Sequence, residues 1–411
     1  FGKMRLLDPF AGFGSIPLEA MRLGVGEVVA VEFLPTAYIF LKAILEYPKK
    51  YGERLRVDVE RWGNWIVERL EEGPDIKELY DEDVAVYIGT WEVRCPICNR
   101  YTPLVGNWWL AKVEGKRYAY MKPKVEGERV AIEIVEGRTE GAPLANVRGR
   151  PELAECLLCG SRITYVDPET SRIYRSKGEV KDKTVKDRLE FYPKYVIKEW
   201  NQKLEEYLES RISLEELRSV RARPRLLVKV KIAGKDLAFE PCVEEDDEKL
   251  WKALEKLKQI WGDPDIPTEF FAPYQMGTAG AFRITLWGFD KFHKLFNPKQ
   301  LLTLVKLVKL IREVGKKIEE ERLKEGWSRE DAFKYAEAVT TYLAIALCKY
   351  ADYNSVETRW RPDLLRFEAT FAQRGIAMMW NWCDAYPFMN IPSASGSWTK
   401  VHRNIINGLS Y

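Results

Sequence analysis

The sequence predicts an α/β chain, and three observations carry that reading. The opening alternates strand, turn, helix and strand; a central stretch holds short β-like runs; two long helical patterns follow. Met4-Arg5-Leu6-Leu7 is short and apolar, Asp8-Pro9-Phe10-Ala11-Gly12-Phe13-Gly14 is rich in breakers, and Ser15 to Leu23 has helical spacing. Ser15 is the expected N-cap, with Leu18 facing inward. Gly24 and Gly26 end this helix, Val28-Val29-Ala30-Val31 forms a second apolar strand with Glu32 at its carboxyl end, and a helix is expected from about 36 to 47. That order makes half of an open parallel sheet, spanning residues 1–50, of the Rossmann-like kind.

Residues 51–89 read as a helical connector with Trp62, Ile66 and Leu70 on one face. Residues 90–175 form a β-rich insert, typified by Arg129-Val130-Ala131-Ile132-Glu133-Ile134-Val135. A mixed α/β linker region covers 176–260, with a helix near 196–208, a strand at 226–232 and an acidic patch at 244–248. The 261–350 region is helical: Asn297 is the N-cap and Pro298 the first residue of a helix whose stripe is Leu301, Leu304, Val305, Val308 and Ile311, and a second helix runs from about 328 to 350. Residues 351–411 are expected to return towards the opening sheet.

With 411 residues, 46% of them hydrophobic, and 65 Lys+Arg against 62 Asp+Glu, the chain has material for packed domains, and disorder is excluded for most of it. The net charge of +3 creates no global field, so a nucleic acid would have to be met by a local patch. Val25 to Leu45 is interrupted by Glu27, Glu32, Pro35 and Lys42, and no uncharged run reaches the roughly 18–20 residues of a membrane span, so a soluble chain without a membrane partner is expected. No signal peptide precedes the first strand, and Phe1 is no initiator, which suggests sequence missing upstream.

Glycines in the Asp8–Gly14 turn let backbone approach a ligand, and the helix beyond offers free N–H groups to polar atoms. Glycine also serves such turns for sterics alone, but here the acid Glu32 ends the next strand, where a carboxylate can accept both hydroxyls of a nucleoside ribose. A solvated strand-end glutamate is the plain alternative.

Seven cysteines at random would give only about 0.1 Cys-x-x-Cys pairs, yet two are present, Cys95–Cys98 and Cys156–Cys159. Each pair makes a tight knuckle presenting two sulfurs, and two knuckles close a structural Cys₄ zinc site. A redox pair and independent buried thiols are the competing readings. Thiol usage of this kind suits a reducing, cytoplasmic setting. Cys242, Cys348 and Cys383 read as core residues, and His293 and His402 as packing rather than catalysis. Arg218, Arg221, Arg223, Arg225, Lys229 and Lys231 concentrate positive charge, with Trp108 and Trp109 as stacking surface; a solvated run and a ribbon core are the competing readings.

Asp8-Pro9-Phe10-Ala11-Gly12-Phe13-Gly14-Ser15 resembles motif I of the amino-group DNA methyltransferases. Ile16-Pro17-Leu18-Glu19-Ala20, the segment 31–38, Leu45-Glu46-Tyr47-Pro48, Arg94-Cys95-Pro96-Ile97-Cys98, Leu295-Phe296-Asn297-Pro298 and Gly396-Ser397-Trp398 are similar to the zinc-ribbon adenine-specific DNA methylases, the DUF1156 group. The resemblance implies a partial S-adenosylmethionine-dependent methyltransferase sheet carrying a zinc-ribbon insert. Asp8, Pro9, Phe10, Gly12 and Gly14 would surround the methionine part of S-adenosylmethionine, and Glu32 would hold its ribose. It also implies transfer of a methyl group to the N6 amine of an adenine flipped out of double-stranded DNA.

One departure concerns catalysis. The family holds the target amine with an [Asp/Asn/Ser]-Pro-Pro-aromatic turn, and no Pro-Pro dipeptide occurs in these 411 residues. Ala272-Pro273-Tyr274 lacks the polar acceptor, and Asp384-Ala385-Tyr386-Pro387-Phe388 has the wrong order. The family's turn follows the Gly-Ser-Trp segment and the next helix, here Val401 to Leu409, so it is expected beyond Tyr411. The alternative is a non-catalytic, zinc-dependent nucleic-acid-binding or specificity subunit that pairs with a second chain carrying the catalytic motif.

Overall fold

The computed structural model describes residues 1–234, 236–270, 283–372, 375–389 and 396–410; Ala272-Pro273-Tyr274 lies outside them. The chain is mixed α/β and divides into two units, one of Phe1–Leu70, Lys306–Lys349 and Trp398–Tyr411, the other of Glu71–Val305 and Tyr350–Ser397.

In the first unit, β1 (Arg5–Asp8) and β2 (Glu27–Ala30) pair in parallel, Arg5 opposite Glu27 and Asp8 opposite Ala30, with α1 (Ser15–Arg22) as the crossover. Gly14, not Ser15, is the N-cap of α1: it takes φ 89°, and no side chain caps the helix. Two constraints put glycine there, since the backbone is left-handed and a Cβ would stand 2.8 Å from Leu41 Cδ2. Leu18 is half-buried, while Pro17 and Ala20 are fully buried. The helix expected over 36–47 is split into α2 (Pro35–Leu41), a widened π turn at Lys42–Glu46 and a short helix Tyr47–Tyr51. Pro48 has no N–H to give the carbonyl four residues back, and the helix widens before it.

Parallel strands are normally covered on both faces. Here one face is open among the described residues, with Leu7 65% and Val29 42% exposed. The helical part of this unit packs closely. In the helix Trp398–Leu409, His402 stacks on Trp398 and lies 2.9 Å from the carbonyl of Val59. Gly63 admits that imidazole, since a Cβ there would meet its Nε2 at 1.9 Å.

In the second unit, β3 (Val84–Arg94) is the central strand. It pairs antiparallel with the strand Ala222–Ala233 on one side and Asn381–Ala385 on the other, while Tyr101–Leu104 folds back along its end. Because β3 is covered on both faces, its burial is continuous from Val84 to Val93 and does not alternate. Gly89 allows the fit: a Cβ there would fall 2.3 Å from the ring of Trp382. A second antiparallel sheet is built from Trp109–Val113, Arg117–Glu126 and Arg129–Glu136. Ile88, Trp108, Met121, Val228, Trp360 and Cys383 share one core. Segments 90–175, 176–260 and 350–397 therefore contribute to one folded body.

Several elements lie where sequence spacing puts them. The strand at 226–232 is the middle of Ala222–Ala233, the helix at 196–208 lies within Tyr192–Leu208, and the long helices are Pro298–Lys324 and Arg329–Asp352. Asn297 caps as expected: its Oδ1 accepts the N–H of Gln300 at 2.9 Å, while Gln300 Oε1 accepts that of Asn297 at 3.0 Å. Among the described residues, no helix is long and apolar enough to cross a membrane.

Candidate cofactor loop and metal centre

The loop from Asp8 to Gly14 leaves the carboxyl end of β1 and enters α1. Asp8 Oδ1 accepts the N–H of Phe10 at 3.2 Å, and the backbone of Ala11 and Val31 is bonded at 3.0 Å, which fixes the loop beside the end of β2. Gly12 has φ 53°, and space where its Cβ would be is open. Pro9 is exposed, and Phe10 is 89% exposed. Glu32 reaches the loop: Oε2 accepts the N–H of Gly12 at 2.7 Å, and Oε1 accepts those of Phe33 at 2.7 Å and Leu34 at 3.1 Å. The backbone donors of Leu34 and Phe33 hold its carboxyl below the usual range, so it remains ionised. Asp8, Pro9, Phe10, Gly12, Gly14 and Glu32 thus form one locality: a glycine bend, an uncapped helix start and a fixed carboxylate. Glu32 Oε1 already accepts two N–H groups, while Oε2 accepts one and retains capacity for a hydroxyl.

The four cysteines of the two pairs come together in the second unit. Cys95 Sγ lies 3.8 Å from Cys159 Sγ, Cys98 Sγ lies 3.8 Å from Cys156 Sγ, and all four sulfurs are within 4.8 Å of one another. A tetrahedral Zn²⁺ with Zn–S bonds of about 2.3 Å holds its sulfurs about 3.8 Å apart, so the cluster fits that ion and suits a structural metal. Two hairpin tips present the sulfurs. The first lies between β3 and Tyr101–Leu104, where the backbone carbonyl of Cys95 accepts the N–H of Asn99 at 2.8 Å; the second follows Glu152–Ala154, where the backbone carbonyl of Cys156 accepts that of Gly160 at 2.9 Å. Asn99 and Gly160 both take positive φ, 59° and 66°.

The local field favours thiolate at Cys156. Its thiol is drawn down, first by a hydrogen bond from Cys95 and then by the N–H groups of Cys159 and Leu158, while that same bond and burial push Cys95 up. N–H groups of Cys98 and Ile97 serve Cys95 in the matching way. Asn146, which sequence spacing does not reveal, clamps the two hairpins: Oδ1 accepts from Val105 N at 2.8 Å, and Nδ2 donates to Pro103 O at 2.9 Å and Glu155 O at 3.0 Å. Thr102 Oγ1 accepts from Leu157 N at 3.0 Å.

No family model, curated protein or solved structure matches the chain. The chemistry of its own residues therefore carries the functional reading.

Other sequence candidates resolve into structure. Asp384 is fully buried on its strand, where Tyr80 Oη donates at 3.0 Å, Asn297 Nδ2 donates at 3.2 Å and Lys299 Nζ lies 3.2 Å away. An internally paired carboxylate does not serve as an acceptor for a substrate amine. The basic run is neutralised: Arg218 pairs with Glu248, Arg221 with Glu199, Arg223 and Arg225 with Glu92, and Lys229 and Lys231 with Glu240. His293 is 1% exposed, lies edge-on to Trp261, and burial lowers it to about 4. Cys242 and Cys383 are buried as expected, but Cys348 is exposed on its helix. Trp108 is core, its indole N–H donating to Leu144 O at 3.0 Å, and Trp109 is half-buried.

Proposed function

We propose that the chain is the cofactor-binding and zinc-ribbon portion of an S-adenosylmethionine-dependent DNA methyltransferase acting on the N6 amine of a flipped adenine, within a cytoplasmic setting. The observation that carries the reading is the hydrogen bond from Gly12 N–H to Glu32, which brings the glycine bend and the acid to one place at the carboxyl end of a parallel strand pair. In this reading Asp8, Pro9, Phe10, Gly12 and Gly14 surround the methionine moiety, and Glu32 holds the ribose through Oε2. Bound S-adenosylmethionine supplies an electrophilic methyl group. The chain's own residues hold and orient it: the first turn of α1, with no side-chain cap, offers N–H groups to the carboxylate of the methionine part. Cys95, Cys98, Cys156 and Cys159 hold zinc as a structural ion, because four thiolates leave no open coordination position.

Two observations support a catalytic turn supplied from outside these 411 residues, by further sequence or by a second chain: they hold no Pro-Pro dipeptide, and the β1–β2 face bearing Leu7 and Val29 is open among the described residues. Calorimetry with S-adenosylmethionine, paired with transfer of labelled methyl to duplex DNA, tests both parts. Binding without transfer supports a subunit or a fragment whose catalytic turn comes from elsewhere. Binding with transfer places catalysis in this chain, and absence of binding overturns the methyltransferase reading.

A further inference from the structure

A small antiparallel sheet in the second unit is built on Tyr165–Val166, with Ile173–Tyr174 along one edge and Glu190–Phe191 along the other. The loop between the two outer strands therefore crosses from one edge of the middle strand to the other. It is pinned at its far end, where Arg188, the last residue of the helix Lys183–Arg188, grips Asp167 with two hydrogen bonds of 2.7 Å and pairs with Glu169 at 2.6 Å. Near its start, Tyr165 and Tyr174 stand opposite each other across the sheet, and each carries a cation over its ring. Lys177 Nζ lies 5.4 Å from the Tyr165 centroid, and the Arg172 guanidinium 5.3 Å from that of Tyr174.

Arg172, Arg175, Lys177, Lys181, Lys183 and Lys186 are all exposed, and among the described residues no carboxylate forms an ion pair with any of them. Of the three acids in the same stretch, two are engaged by main-chain donors: Glu179 Oε2 accepts the N–H of Arg175 at 3.1 Å, and Asp182 Oδ1 accepts those of Thr184 at 2.8 Å and Val185 at 3.3 Å. The third, Asp187, is exposed. The run at 218–231 is the opposite case, because each of its cations meets a glutamate. Cations without internal partners, held on a pinned loop, make a local field for an external polyanion. Two observations narrow that polyanion to a duplex. Among the described residues no large apolar side chain is exposed between Leu144 and Val243, so a membrane finds no anchor. Tyr165 and Tyr174 are half-buried and each already meets a cation, so neither is a free platform for the unstacked bases of a single strand.

We propose that this loop and the strand Ile173–Tyr174 form a surface for the phosphate backbone of duplex DNA, with the six exposed cations as its contacts. Contacts of this kind hold and orient a duplex without reading its sequence. The choice of DNA as the polyanion rests on the methyltransferase reading, whereas the cation surface itself is separate from the cofactor loop and does not depend on what that loop binds.

The test is fluorescence anisotropy of a short labelled DNA duplex with the full zinc-loaded chain, without S-adenosylmethionine, across a salt series. The parent's affinity should fall by about 10³-fold between about 50 and 200 mM salt, as for six phosphate contacts. The chain carrying Lys181→Gln, Lys183→Gln and Lys186→Gln loses half of those contacts. Its slope of log affinity against log salt should drop by about half, and its binding should weaken by about ten-fold or more near physiological salt. A control carrying Lys116→Gln, Lys122→Gln and Lys252→Gln loses the same charge from exposed lysines elsewhere in the unit and should stay within about two-fold of the parent. Calorimetry with S-adenosylmethionine separates this surface from the cofactor reading, since the loop variant should keep the parent's cofactor affinity. A parent that binds the cofactor but no duplex overturns the surface alone, and one that binds duplex but no cofactor supports the surface while overturning the cofactor reading. The assignment is also overturned if the loop variant binds duplex as the parent does, if the control loses as much, or if the single strand, duplex RNA, polyglutamate or phosphatidylserine vesicles bind more tightly than the DNA duplex.

Discussion

Zinc removal is the perturbation with the best-defined outcome. Four sulfurs already stand at the spacing of a tetrahedral ion, with cross-pair distances of 3.8 Å, and Asn146 clamps the two hairpins that carry them. Little ordering entropy then remains for binding, so affinity should be at least that of zinc-finger peptides, which fold on binding the ion with apparent free energies of about 10–16 kcal/mol. At free zinc a thousand times the dissociation constant, the ion adds about 4 kcal/mol to stability, which for a unit of this size raises the melting temperature by about 7 °C. The assay is zinc stoichiometry by chromogenic chelator, with melting curves before and after chelation, on the parent and on Cys98→Ser. The parent should release one zinc per chain, and Cys98→Ser should lose more than about 100-fold in affinity, beyond the upper end of what a merely supporting group contributes. Coincident melting curves with and without metal, or full stoichiometry in Cys98→Ser, would refute the reasoning.

Three further outcomes follow from packing and charge. Gly89→Ala drives a methyl group to 2.3 Å from Trp382, and should lower stability by about 3 kcal/mol or more, read by chemical denaturation. Asn146→Ala strips partners from Val105 N, Pro103 O and Glu155 O, and should lower stability by about 3 kcal/mol and speed zinc release to a chelator. His293 titrates near 4 in the fold and near 6.5 when unfolded, so the unfolded chain binds more protons between those values. Its contribution is present above pH 6.5 and is lost as pH falls towards 4, amounting to about 3 kcal/mol. A His293→Phe chain should show a correspondingly flatter stability profile across that window.

Local signals were readable in the sequence wherever one segment carried the whole message. The Asn297-Pro298 start, the apolar run at 226–232 and the two cysteine pairs each depend on neighbouring residues, and each takes the expected form. What depended on distant partners was not readable. The basic run at 218–231 looked like a surface patch because Glu92, Glu199, Glu240 and Glu248 come from other segments. Asn146 carries no motif, and its importance rests on two hairpins meeting around it. Gly14 replaced Ser15 as the cap because the loop needs a left-handed residue beside Leu41, a constraint that only the folded helix pair imposes. The pairing that makes β3 a central strand likewise comes from strands more than a hundred residues away.

The most direct trial of the cofactor reading is amide hydrogen exchange across residues 8–16 and 32–34, with and without S-adenosylmethionine, on the parent and on Glu32→Ala. The account predicts slower exchange at Gly12 to Ile16 when the sulfonium compound is present, and loss of that protection in the variant. Unchanged exchange throughout the bend at saturating ligand, or protection that survives removal of the Glu32 carboxylate, would contradict it.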